Sequence, residues 1–512
     1  MKFSNIKHIW TAVIIGLFAM TGSLSAEEVK EADGFQDKIA SGFQKVADFS
    51  DETIFWAIPG TGVPLVLALL AVTALFLTCY FGFVNFRGFG KSIRTVKGKY
   101  SSKDDPGEIT HFQALSAALS ATVGLGNIAG VAIAISIGGA GATFWMIVCG
   151  LLGMTTKFCE CTLGTRYREI DENGKVYGGG MYYLSKGFAE LGAAGFGKVL
   201  AVLFAIACIF GSFGAGNMFQ GNQAFEQVRV ITGGEDSYMK DLGWVFGAVL
   251  AVLVGMVIIG GIKSIGKVTS KLVPFMCGIY VLCALYILGA YASDIPDAFG
   301  AIFAGAFSME AGMGGLIGVL VQGVKRAAFS NEAGFGSAPI AHSAVKTRKP
   351  ASEGYVALLE PFIDTVVVCT MTALVIIITG SSVAEGGSWG DAIGVTSQAF
   401  GSVLTWFPYV LFAAVLLFAF STMISWSYYG QTAWAYLFGR SKEAEVVYKL
   451  IFCGFIVLGT SVELASVLKF SDAMVFAMVF PNLIGIYFLL PKVKEEVKAY
   501  DEHMAEIDAK NP

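Results

Sequence analysis

Between residues 63 and 490 the chain passes through one long apolar stretch after another, parted by short polar connections. A run of about 20 apolar residues is long enough to cross bilayer hydrocarbon as a helix. Lipid tolerates little else, because it satisfies no backbone N–H or C=O group. The stretches fall at about 63–85, 111–137, 140–165, 197–222, 243–261, 271–291, 310–345, 355–380, 405–437, 446–465 and 472–490. They predict an all-α membrane protein with about eleven transmembrane helices. Only 14% of the residues are charged, against roughly 25% in soluble domains. That excludes an ordinary cytosolic enzyme, a nucleic-acid binder and a disordered chain, and the small net charge of -4 suggests no polyanionic partner.

The ends and loops give an expected orientation. Residues 1–26 read as a signal peptide: Lys2 and Lys7 precede an apolar run from Ile9 to Met20, and Ser23, Leu24, Ser25 and Ala26 offer a cleavage site. Residues 27–60 form an extracytoplasmic segment in which Phe35, Ile39, Phe43 and Val46 make one face of an amphipathic helix, expected to rest on the outer membrane surface. The membrane domain covers 61–490 and a cytoplasmic tail 491–512. Lys and Arg gather in alternate connections, with Arg87, Lys91, Arg94 and Lys97 in the first and Lys346, Arg348 and Lys349 in the seventh, while the stretches 292–300 and 381–404 carry neither. The positive-inside bias then places the N-terminus outside and the C-terminus inside a bacterial inner membrane.

Two of the spans are not simple apolar helices. In the second, Ser120-Ala-Thr-Val-Gly-Leu-Gly-Asn127 puts two glycines among hydroxyl and amide groups at mid-membrane depth, and in the seventh Phe329-Ser-Asn-Glu-Ala-Gly-Phe-Gly-Ser-Ala-Pro339 does the same around Glu332. Glycines in membrane helices also serve as close-packing points, and Gly138-Gly139-Ala140-Gly141-Ala142 reads as that or as a tight turn. Two broken polar spans at matching positions favour a ligand cavity instead, and divide the chain into one extra N-terminal helix plus a 5+5 inverted repeat. A broken helix offers N–H groups and a positive end to a carboxylate, and freed carbonyls to a small cation. One site can therefore hold a zwitterionic amino acid beside a sodium ion.

Other chemistries find few residues. The nine cysteines lie in or beside apolar runs, and Cys159 with Cys161 reads as packed thiols rather than a metal site. No HExxH, GxSxG or P-loop pattern occurs, so neither hydrolysis nor ATP is the driver, and the chain is not expected to be an enzyme. Charges at bilayer depth cost at least about 2.5–3.5 kcal/mol each and should be paired. Lys157 and Glu160, three apart, read as a structural pair. Glu332 reads as a group orienting the broken helix or as a proton acceptor, with Lys325 or Arg326 to neutralise it. Asp364 and Glu360 are further ionisable candidates.

Gly124-Leu-Gly-Asn-Ile-Ala-Gly-Val-Ala132, Gly138-Gly-Ala-Gly-Ala-Thr-Phe-Trp-Met146, the Phe329–Pro339 segment and Ser425-Trp-Ser-Tyr-Tyr-Gly430 resemble the alanine or glycine:cation symporter family, from about residue 63 to the end of the last span. The resemblance implies sodium-coupled symport of a small neutral amino acid, alanine or glycine, by alternating access, with Na+ as coupling ion and no organic cofactor or obligatory oligomer. It implies that the amides of Leu125 and Gly126 take the substrate carboxylate, that Gln220 hydrogen-bonds the substrate, and that Phe329 and Trp426 wall the cavity. For sodium it implies the carbonyls of Ser120 and Val123 with the side chains of Ser421 and Thr422, and a second site at Thr122, Asn127 and Asn331. By residue type alone, Ser421 and Thr422 serve equally as hydroxyls bonded one helical turn back. A proton-coupled symporter using Glu332 or Asp364 is the alternative, and a passive ion channel, which the internal repeat disfavours, a further one.

Overall fold

The computed structural model describes residues 41–102, 104–308, 315–381 and 392–510. The expected signal at 1–26, and Phe35 and Ile39 of the amphipathic face, lie outside them. Residues 41–54 are helical (α1) and are followed by α2 (Leu65–Tyr80). Then come α3 (His111–Thr122), α4 (Ala129–Gly138), α5 (Gly141–Arg166), α6 (Ala194–Phe213), α7 (Phe219–Ile231), α8 (Gly243–Ile258) and α9 (Gly261–Ala290). The second half holds α10 (Gly315–Asn331), α11 (Pro339–His342), α12 (Ala351–Ala357), α13 (Thr370–Ile378), α14 (Ala392–Gly401), α15 (Phe407–Phe438), α16 (Lys442–Gly459), α17 (Leu464–Ala477) and α18 (Val479–Lys510).

Each of the eleven expected stretches carries helix. By length and apolarity six helical runs qualify as spans among the described residues, and the bent pair α3–α4 makes a seventh; α2 and α8 are shorter apolar helices. The number eleven therefore stays an expectation.

Both expected helix breaks are present. A capping box starts α3: Thr110 Oγ1 accepts from the Gln113 N–H at 3.2 Å and the Gln113 side chain accepts from the Thr110 N–H at 3.0 Å. The helix stops where Val123 leaves helical geometry and Gly124 becomes extended, and the chain resumes in α4 bent by 57°. A Cβ on Gly124 would fall 2.6 Å from Thr422 Oγ1, so only glycine lets α15 approach here. α10 ends where Glu332 takes a left-handed φ of 57°, and Gly334 and Gly336, also at positive φ, carry the chain to Pro339 at the start of α11. The two breaks meet: the Cβ direction of Gly126 points to Ser330, 3.4 Å from its Cα.

Two π-helical segments accompany the breaks, Gly214–Met218 between α6 and α7 and Phe362–Cys369 ahead of α13. Such segments widen a turn and free side chains and carbonyls for other partners.

The two ends of the chain pack on different parts of the bundle. The charged end of α18 returns to the first connection, where Lys91 meets Asp501 at 2.9 Å and Arg94 meets Asp508 at 3.1 Å. α1 lies against α10 and α17: Phe43 packs on Phe470, Phe55 on Phe476, and Lys469 meets Asp48 at 2.7 Å. Its inward face is Phe43, Ala47 and Ser50, while Val46 is exposed, so the described part of the amphipathic segment rests on the protein with a face rotated from the expected one.

Candidate functional site

The breaks enclose a small cavity lined by Thr122, Gly126, Gln220, Phe329, Glu332 and Trp426, with Ala121, Ala215, Phe335 and Val475 completing its wall. All of these are buried, and the free space is on the scale of one water molecule. A larger hollow near Arg440 and Glu445 lies at the protein surface; only the small one is formed by the broken helices.

Gln220 sits just beyond the Gly214–Met218 π segment and spans the cavity wall. Its Nε2 donates to the Ala215 carbonyl at 3.0 Å, and its Oε1 accepts from the Leu125 N–H at 3.1 Å. Leu125 itself is buried behind the break. The amide expected to meet a carboxylate is thus held by a side-chain oxygen, the kind of group a carboxylate can replace.

Trp426 on α15 closes the other wall. Its position needs Gly216, because a Cβ there would sit 2.3 Å from Trp426 Cβ. The indole Nε1 donates to Glu332 Oε1 at 3.0 Å, and Ser337 donates to the other carboxylate oxygen. Glu332 therefore fastens the second break to α15 through its side chain. Lys325 and Arg326 do not neutralise it: Lys325 meets Asp472 at 3.0 Å and Arg326 bonds the same carboxylate. Phe329 packs edge-on against Phe219.

The first expected ion group is brought together only in part. Thr422 Oγ1 donates to the Ser120 carbonyl at 3.1 Å, and Ser120 Oγ donates to the Ser421 carbonyl at 2.8 Å, joining α3 to α15 across the break. The Ser421 hydroxyl bonds one turn back to Phe418 at 3.0 Å, and Val123 is buried at the break. In the second group Thr122 is bonded back to Ala118. Asn127 Oδ1 accepts from the Gly124 N–H at 2.9 Å, while its Nδ2 donates to Asp364 Oδ1 at 2.6 Å. Asn331 Nδ2 donates to Thr365 Oγ1 at 2.9 Å. Asn127 and Asn331 thus meet one polar cluster centred on the Phe362–Cys369 segment, and Thr122 faces the cavity.

Lys157 also departs from expectation. It bonds Glu360 at 3.2 Å, not Glu160, whose Oε1 accepts from the Gly336 N–H at 3.0 Å and Asn482 at 2.6 Å. Glu360 continues to His342, His342 to Glu353, and Glu353 to His111. Cys159 and Cys161 are buried free thiols, and Cys161, His342 and Glu360 lie close enough together to share an ion. Phe335, Val475 and Ala215 were not legible as cavity walls, since nothing local distinguishes them from packing residues.

The sequence pattern of the sodium:alanine symporter family matches residues 48–511. The sodium/alanine symporter AgcS of Methanococcus maripaludis is 40% identical over 449 residues, 88% of this chain and 96% of that protein. The amino-acid carrier protein AlsT of Bacillus subtilis is 34% identical over 445 residues, 86% of this chain and 88% of its own. In three dimensions the chain resembles MhsT, crystallised in complex with L-phenylalanine, with a TM-score of 0.51 over 76% of this chain and 99% of that one at 16% identity, which shows a common fold.

Proposed function

The chain belongs to the sodium:alanine symporter family, and from that premise we propose that it carries alanine or glycine with sodium into the cell across a bacterial inner membrane by alternating access. The observation that carries the reading is the cavity at the two breaks, walled by Phe329, Phe335 and Trp426 and almost filled in this conformation. Each added methylene would gain about 1–3 kcal/mol in an open apolar pocket, so a carrier of the smallest amino acids must reject larger ones with walls.

In this reading the substrate carboxylate takes the Leu125 amide from Gln220 Oε1 and the Gly126 amide beside it, and Gln220 turns its amide to the substrate. Sodium is held by Ser120, Val123, Ser421 and Thr422, and a second ion beside Thr122, Asn127 and Asn331. The N-terminus lies outside, after a signal at 1–26, and the 491–512 tail inside; the packing of that tail on the basic first connection supports one shared face. One sodium ion crossing about 150 mV releases roughly 3.5 kcal/mol, and a tenfold gradient adds about 1.4 kcal/mol. Together they support accumulation by about three orders of magnitude.

The test is uptake of labelled alanine and glycine into proteoliposomes under an inward sodium gradient, then under a proton gradient. Accumulation driven by sodium is expected. Accumulation under the proton gradient alone would instead establish the alternative, with Glu332 as the carrier. No uptake under either, with folded protein, would overturn the substrate assignment.

A further inference from the structure

α7 carries a stripe of amides that the bundle hides. Gln220, Gln223 and Gln227 fall three and four residues apart, on one face of the helix, and run about 10 Å along it from the substrate cavity towards the connection at 232–242. They are 4%, 0% and 0% exposed. Gln220 has partners at both ends of its amide, Ala215 and Leu125. The other two do not: Gln223 Oε1 and Gln227 Oε1 are buried without a hydrogen-bond partner among the described residues. A buried acceptor without a donor is costly, and a leucine at either position would avoid the cost.

Neither amide can turn over to mend this. Gln223 Nε2 donates to Asn222 Oδ1 at 3.1 Å, and Asn222 cannot reverse because its Nδ2 is committed to the carbonyls of Gly459 at 3.0 Å and Val462 at 2.9 Å. Gln227 Nε2 donates to Ser397 Oγ at 3.2 Å and to the Pro408 carbonyl at 3.4 Å, and a carbonyl only accepts. The orphaned atom is therefore the oxygen in both, an acceptor of the kind an ammonium group seeks, beside an Nε2 end that can serve a carboxylate. The neighbouring charges Glu226 and Arg229 pair with each other at 2.9 Å. The stripe is thus neutral and bipolar, matched to a zwitterion rather than to an ion of either sign. α14 closes it: Ser397 meets Gln227, and the adjacent Thr396 donates to the Ile128 carbonyl, just ahead of α4, at 3.4 Å.

We propose that Gln223 and Gln227 form a relay for the amino acid on its way to Gln220: α14 lifts from Gln227, the zwitterion engages the uncovered amide, and it passes by way of Gln223 to the cavity. The inference rests on the symport reading and deepens it, by assigning the route of the substrate in addition to its seat. In the proposed orientation the 232–242 connection and α14 lie outside, so the stripe leads inward from the side of entry. Successive glutamines are one helical turn apart, which lets an incoming molecule meet the next amide as it leaves the last. A relay of this kind has a signature that a wall of the final site lacks. Groups touched only in transit change the rates of arrival and departure by the same factor, and leave the equilibrium affinity where Gln220 and the breaks set it.

The test measures association and dissociation of labelled alanine with the purified protein in sodium, beside thermal unfolding midpoints and initial uptake at low alanine in proteoliposomes. In Gln223→Leu and Gln227→Leu both rates and the uptake should fall at least about fivefold, with Kd within twofold of wild type. Their unfolding midpoints should equal the wild-type value or exceed it, since an orphaned polar group gives way to an apolar one of similar size. Gln227→Asn, which keeps an amide, should stay within about threefold of the wild-type rate. An association rate within twofold of wild type in both folded leucine variants overturns the relay, and so does a weaker Kd at an unchanged association rate, which would put these side chains in the final site. A loss as deep in Gln227→Asn as in Gln227→Leu overturns it too, by showing that bulk and not the amide matters. Should one leucine variant not fold, the other decides alone. A wild-type chain that neither binds nor takes up alanine or glycine sinks the substrate reading and the relay with it, whereas wild-type binding with unmoved rates in the variants sinks the relay only.

Discussion

The Trp426 indole shows how much rests on single contacts at the breaks. It donates to a buried carboxylate on the second broken helix, and a buried acceptor that loses its donor costs about 1–3 kcal/mol. Trp426→Phe should therefore loosen the Glu332 attachment and weaken alanine binding about tenfold, read by calorimetry on purified protein. Trp426→Ala, which removes the wall as well, should broaden uptake towards larger aliphatic amino acids. Gly216→Ala tests the same contact from the other side: a methyl group 2.3 Å from Trp426 Cβ must push the ring inward. Overpacking of this kind costs about 1–3 kcal/mol, and alanine affinity should fall while larger substrates stay excluded. Unchanged affinity in both Trp426→Phe and Gly216→Ala would remove Trp426 from the substrate wall. Gln220→Ala should weaken alanine binding, because it removes the side chain that bridges Ala215 and Leu125.

At the scale of elements, the acid–base chain from His111 through Glu353, His342 and Glu360 to Lys157 ties α3, α12, α11 and α5 together. Removing one member of a buried ionic network costs about 3–5 kcal/mol. His342→Gln should lower the thermal unfolding midpoint markedly, whereas Asp48→Asn, which touches only the exposed pair with Lys469, should change stability by less than about 1 kcal/mol. Equal midpoints for the two variants would contradict a supporting role for the chain of histidines and carboxylates.

The same residues mark where sequence reasoning reached its limit. Broken helices are legible because glycine, hydroxyl and amide groups are conspicuous in an apolar run, whereas Gln220, Phe329 and Trp426, which line one cavity, are pointed to only by the family resemblance. Partners were not legible. Spacing of three suggested Lys157 with Glu160, and proximity suggested Arg326 with Glu332, but local spacing sees only one helix, and Glu360 and Asp472 arrive from elsewhere in the chain. The π-helical segments were likewise hidden, since one extra residue in a turn leaves no mark in composition. On α1, Phe43 faces inward as expected, but Ala47 and not Val46 is buried beside it, which a periodicity of large apolar residues does not register.

For the whole molecule, the contacts divide the connections into two groups. The first connection touches the tail, and Arg168 donates to the carbonyls of Ser343 at 2.7 Å and Pro106 at 2.9 Å, stitching the ends of both broken helices near the seventh connection. α1 and the start of α17 lie together elsewhere. With the N-terminus outside, a cysteine at Lys97 should react with a membrane-impermeant maleimide only from the inner side, and one at Ser461 only from the outer side. Labelling of both from the same side in sealed vesicles would refute the orientation.

The π turn at Gly214–Met218 has one consequence of its own. It holds one residue more than an α turn would, a unit of slack stored beside the substrate wall. Were that surplus handed along to the next turn, the intervening helix would swivel by about 100° and advance about 1.5 Å. Gln220, which begins only two residues beyond, would then swing off the Leu125 amide without any hinge bending. The mechanism would resemble a gear slipping by one tooth, in which a single displaced residue opens the seat for a carboxylate.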